Sequence, residues 1–61
     1  MTNIEELREE LEEYLHGLVI CDYITKEDEN EVLDDFDNWA EKASPGDTYY
    51  YDGESYTLTA A

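Results

Sequence analysis

Residues 47–59 read DTYYYDGESYTLT. Asp52-Gly53 sits between two segments rich in tyrosine and threonine, the local signature of a β-hairpin closed by a two-residue turn. Such a turn sets Tyr51 opposite Glu54 and Tyr49 opposite Tyr56. Counting outward by twos then puts Tyr49, Tyr51, Tyr56 and Leu58 on one face and Thr48, Tyr50, Ser55 and Thr57 on the other. An isolated two-stranded hairpin is only marginally stable in water. The tyrosine face therefore needs a cover, and the rest of the chain must supply it.

The rest of the chain reads as two amphipathic helices. Thr2 with Glu5 fits a capping box, and Ile4, Leu7, Leu11, Tyr14, Leu15 and Leu18 recur at helical spacing, which predicts a first helix over about 3–20. Gly17 weakens that helix, and the LVIC that follows could continue it or form a short extended segment; we expect helix, since a strand there would lack a partner. Thr25 with Asp28 repeats the capping signature, and Val32, Leu33, Phe36, Trp39, Ala40 and Ala43 share one face of a second helix over about 26–43. Ser44-Pro45-Gly46 ends it, because the residue before proline avoids helical geometry and glycine permits a turn. The short connection from Asp22 to Thr25 makes the helices antiparallel. The expectation is one α+β domain over 1–61: an antiparallel two-helix hairpin followed by a two-stranded β-hairpin at about 48–59, in the order α-α-β-β.

Sixty-one residues give a core worth only about 3 to 5 kcal/mol of net stability, so systematic costs matter. The charge is such a cost. Eighteen acidic residues against Arg8, Lys26 and Lys42 give a net charge of −15, well past the magnitude of about 2 to 8 that suffices for solubility. Yet 41% hydrophobic residues, six tyrosines, a phenylalanine and a tryptophan suffice for a core, so the chain reads as folded rather than disordered.

The excess acid is ordered along the helices. On a wheel, Glu5, Glu6, Glu9, Glu10, Glu12 and Glu13 fill the side of the first helix away from its leucines. Glu27, Glu31, Asp34, Asp35, Asp37 and Glu41 do the same on the second. Six glutamates over residues 5–13 amount to one negative charge per about 2 Å of axis, close to the roughly 1.7 Å of duplex DNA. Glutamates four apart are about 6 Å apart along the axis. Like-charged pairs such as Glu5/Glu9, Glu6/Glu10, Glu9/Glu13, Glu27/Glu31, Glu31/Asp35 and Asp37/Glu41 together cost about 1 to 3 kcal/mol at low salt. A solvated polar face would mix signs and use glutamate–lysine pairs, which this sequence almost entirely lacks.

Other chemistry is poorly represented. His16 and Cys21 are too far apart for two ligands on one helix face, and there is no further histidine or cysteine to complete a metal site or a nucleophile. Cys21 is expected to be a buried thiol in a reducing cytoplasm, and His16 an ordinary, partly exposed residue. DENEVLDD lacks the glycine and terminal glutamate of an EF-hand loop. With no phosphate loop, no distinguished carboxylate pair and little room for a pocket, we expect neither an enzyme nor a cofactor. The N-terminus does not read as a signal peptide, and no run reaches transmembrane length. An acidic surface is repelled by anionic lipid and by nucleic acid itself, so the expected partner is a basic protein in the cytoplasm. Whether the chain also forms a homodimer is open. An exposed Tyr50 or Tyr23 beside carboxylates suits stacking on a partner's arginine, and the outward-facing Tyr50 equally suits a surface strand position chosen for β propensity.

Through the carboxylate faces Glu5 to Glu13 and Glu27 to Glu41, the whole chain resembles the small acidic proteins, often phage-encoded, that mimic DNA. Those proteins block restriction systems, CRISPR effectors or DNA repair glycosylases. The resemblance implies an inhibitor that occupies the basic groove of a nucleic-acid-binding protein, with Glu5, Glu6, Glu9, Glu12, Glu13, Glu27, Glu31, Asp34, Asp35, Asp37, Glu41 and Tyr50 as contacts. Two alternatives stand beside it. One is acidity of the kind that proteins of salt-loving organisms carry whatever their function; the other is an acidic interaction module whose charge mainly speeds encounter.

Overall fold

The computed structural model describes residues 2–60. Helices α1 (Ile4–Ile20) and α2 (Lys26–Lys42) precede strands β1 (Thr48–Tyr51) and β2 (Glu54–Thr57). The strands pair antiparallel, with Tyr49 opposite Tyr56 and Tyr51 opposite Glu54. Asp52 and Gly53 have φ of 47° and 82°; positive φ at both central positions is what a type I′ turn requires, and its twist matches that of the strands. Beyond the strands the Leu58 N–H donates to the Asp47 carbonyl and the Gly46 N–H to the Leu58 carbonyl.

Leu7, Leu11 and Leu15 of α1, Leu33 and Phe36 of α2, and Tyr49, Tyr56 and Leu58 of the hairpin segment form one core. Phe36 is completely enclosed. The Tyr49 ring meets it edge-on at 5.3 Å, and Trp39 packs at 5.4 Å from Phe36 and 5.5 Å from Tyr49. Tyr14 of α1 meets Tyr51 edge-on at 6.2 Å. The hairpin thus touches both helices and covers one side of the pair. As the alternation requires, Tyr50 points away, 75% exposed.

The helix ends show where local signals compete. At α2 the capping box forms: the Asp28 N–H donates to Thr25 Oγ1 and the Thr25 N–H to Asp28 Oδ2, each at 3.1 Å. At α1 the expected box at Thr2 does not. Asn3 is the N-cap, and its side chain makes no capping bond. Instead Asn3 Oδ1 accepts from the Thr59 N–H at 2.8 Å and the Asn3 N–H donates to the Thr59 carbonyl. Thr2 pairs with Ala60. Strand-like pairing with the segment after β2 therefore takes the residues that would have capped the helix.

The other end of α1 is at Ile20, so LVIC continues the helix through Ile20 and Cys21 caps it. The Tyr23 N–H donates to the Leu18 carbonyl and the Asp22 N–H to the Val19 carbonyl, the bonding of a Schellman motif. Asp22 takes the left-handed position, with φ 62°, where glycine is usual. The expected burial of Cys21 is wrong: its thiol is free and exposed, because the apolar stripe stops at Leu18 and the chain turns out into water. No helix among the described residues is long and apolar enough to cross a membrane.

Candidate partner-binding surface

Fourteen of the eighteen acidic residues lie on the two helices, six on α1 and eight on α2. All eleven carboxylates expected to form the contact surface are exposed. They do not converge on a single site. Glu5, Glu9 and Glu12 line a shallow depression of about 260 Å³ with Arg8. Glu12, Glu13 and His16 face Lys26, Glu29 and Leu33 across a second depression of about 330 Å³. Both depressions open on the side of the helix pair that the hairpin leaves bare.

Arg8 sits between the helices there. Its Nε and Nη2 donate to the two oxygens of Asp37 at 3.0 and 3.3 Å, and its Nη1 donates to Glu12 at 2.9 Å. One cation is thus shared by two of the expected contact residues, and a bidentate pair ties α1 to α2. Glu41 follows Asp37 by one helical turn. Glu27, Glu31 and Asp34 fall on the edge of α2 turned away from α1, and Glu6 on the corresponding edge of α1, by their spacing from Phe36 and Leu11. Asp35 is drawn to the hairpin side, where the Tyr49 hydroxyl donates to it at 3.0 Å.

Tyr50 lies apart from all of these, on the outward face of the hairpin with Thr48, Ser55 and Thr57. That face carries no charged side chain. The protein therefore has an acidic surface wrapped around three sides of its helical layer and a neutral tyrosine–threonine back. Sequence reading missed Glu29, which is buried at 6% exposure with Lys26 Nζ 3.2 Å away. The signal was present, since Glu29 lies four residues before Leu33 and seven before Phe36, the spacing of the inner face.

Two tyrosine hydroxyls are tied to carboxylates. Burial, and then the bond to Asp35, push Tyr49 up to about 12. The hydrogen bond to Asp52, at 2.7 Å, is the main cause that raises Tyr14 to about 12. An unfolded tyrosine ionises near 10. Between about pH 10 and 12 the folded state therefore holds more protons than the unfolded one, and stability falls as pH rises through that window. We expect the tyrosinate absorbance of Tyr14 and Tyr49 to develop late, toward pH 12, with helical circular dichroism lost alongside it. Ionisation of Tyr14 and Tyr49 near the ordinary tyrosine value with the fold intact would contradict it.

The turn end carries a feature absent from the sequence reading. Leu18, Tyr23, Ile24, Tyr51 and Asp52 line an open groove of about 470 Å³. Tyr23 stands at its lip, 79% exposed, and the neighbouring Ile20 is 70% exposed. Among the described residues no group of three or more His, Cys, Asp or Glu side chains is arranged to hold a metal ion. No protein-family model, curated protein or solved structure matches the chain.

Proposed function

We propose that this domain is a protein mimic of a nucleic-acid backbone, which binds the basic groove of a nucleic-acid-binding protein such as a nuclease or CRISPR effector and keeps its target out. The observation that carries the reading is the state of the helical carboxylates. Among the described residues only Glu12, Asp37 and Glu29 are paired with a cation. Apart from Asp28, which caps α2, and Asp35, which accepts from the Tyr49 hydroxyl, the others are exposed without a partner among the described residues and recur at helical intervals on a packed scaffold. Spacing of about 6 Å between glutamates one turn apart suits a row of lysines and arginines that otherwise contacts successive phosphates. Such an inhibitor needs neither catalysis nor a cofactor.

The test is capture and competition. The immobilised domain is exposed to a bacterial lysate at about 50 mM salt, and retained proteins are challenged with duplex DNA or with an uncharged polymer. Mimicry requires that DNA alone releases them and that retention collapses by about 200 mM salt, as a multi-phosphate contact does. Retention that survives DNA would refute it. So would a circular dichroism spectrum showing the domain unfolded at low salt and folded only in molar salt, since the acidity would then be environmental.

A further inference from the structure

The groove at the turn end combines three features that the rest of the surface does not. Its floor is apolar, from Leu18 and Ile24, and two tyrosines, Tyr23 and Tyr51, flank it. Tyr23 makes no side-chain hydrogen bond or ring contact among the described residues and leaves most of its ring in water, an arrangement that contributes little to the fold. The rim is anionic, and its key carboxylate is held in place. Asp52 Oδ2 accepts from the Tyr14 hydroxyl, which fixes the side chain and leaves Oδ1 without a partner among the described residues. Asp52 and Asp28 both act on the Tyr51 hydroxyl, which burial and these charges keep protonated above the ordinary range.

We propose that this groove receives the side chain of an arginine presented by a basic partner protein. The guanidinium stacks against the tyrosine rings and donates to Asp52 Oδ1, while its methylene stem lies over Leu18 and Ile24. Arginine fits better than lysine because a flat, weakly hydrated cation gains from ring stacking and a carboxylate together, whereas an ammonium keeps its water. A second copy of this chain is a poor occupant. Its sole arginine, Arg8, is engaged by Asp37 and Glu12, and each copy brings a charge of −15. The proposal shares with the mimicry reading only the premise of a basic partner. It adds a discrete anchor to a surface that otherwise acts through distributed charge.

The test uses the full chain and a capped Gly-Arg-Gly peptide, with its lysine and citrulline counterparts, followed by amide NMR shifts at about 0.3 M salt, where the screening length is below about 8 Å. We expect shifts confined to Leu18, Tyr23, Ile24, Tyr51 and Asp52, with arginine binding tightest and citrulline not binding. Asp52→Asn keeps an acceptor for Tyr14 and tolerates the left-handed turn position, and should weaken arginine binding about tenfold, as should Tyr23→Ala. Glu9→Gln with Glu13→Gln should leave it unchanged. Equal responses to arginine and lysine, shifts spread along Glu5 to Glu13, or an unaffected Asp52→Asn variant would each overturn the groove. Peptide binding at the groove combined with a captured partner that DNA cannot displace would sink mimicry and spare the groove; the reverse pattern would do the opposite.

Discussion

Phe36→Ala is expected to leave the domain largely unfolded at low salt. Phe36 is completely enclosed and is where the layers meet: its ring touches Trp39 from its own helix and Tyr49 from the hairpin. Truncating a buried phenylalanine typically costs about 3 to 5 kcal/mol, as much as a domain of this size has in total. The Trp39 environment and the helical signal should be lost together. Tyr50→Ala, at 75% exposure, should stay within about 0.5 kcal/mol of the parent. Salt gives a second reading of the same variant. The like-charge pairs on the helices cost about 1 to 3 kcal/mol, and exposed charges are strongly screened near 1 M. Molar salt should therefore restore a measurable folded fraction of Phe36→Ala. A Phe36→Ala domain that stays folded at low salt would mean that the aromatic junction does not dominate stability, and one indifferent to salt would mean that the repulsion between carboxylates is negligible.

The sequence disclosed most where a residue pattern is needed by one structure only. Asp52-Gly53 flanked by alternating tyrosines determines the turn type, the register and the inward face in a single step, and the structure follows it from Thr48 to Leu58. The Thr25 box was legible for the same reason, because nothing else competes for Thr25 or Asp28. Thr2 was not, because Asn3 and Thr2 pair with Thr59 and Ala60, more than fifty residues away, and no local rule contains that contact. The Schellman turn was hidden because Asp22 occupies a position where glycine is the usual sign. Of the candidate surface, exposure followed from the helical wheel. What did not follow was that Arg8 would bridge Glu12 and Asp37 or that Tyr49 would draw in Asp35. Each of those depends on how the elements pack rather than on spacing within one of them.

Neutralising Glu9, Glu13, Asp34 and Glu41 together, as Glu9→Gln, Glu13→Gln, Asp34→Asn and Glu41→Gln, should move stability and partner binding in opposite directions. All four are exposed, and none is in an ion pair among the described residues, so no packing or bridge is lost. The Glu5/Glu9, Glu9/Glu13 and Asp37/Glu41 repulsions disappear, which stabilises the free domain by about 1 kcal/mol at low salt and raises the melting temperature by about 4 to 8 °C. Binding to a basic groove loses four charge contacts of up to about 1 kcal/mol each, so affinity at about 50 mM salt should fall about a hundredfold. Unchanged affinity would mean that the carboxylates are bystanders; lower stability would mean that they hold the fold. The opposition follows from where the repulsion is relieved. In the free domain it weakens a small scaffold at every turn of α1 and α2, whereas in a complex the partner's lysines and arginines lie between the carboxylates and cancel it. A strain confined to the unbound state and released on docking becomes part of the driving force for binding, and that gives a domain with so little stability a physical reason to keep so many like charges.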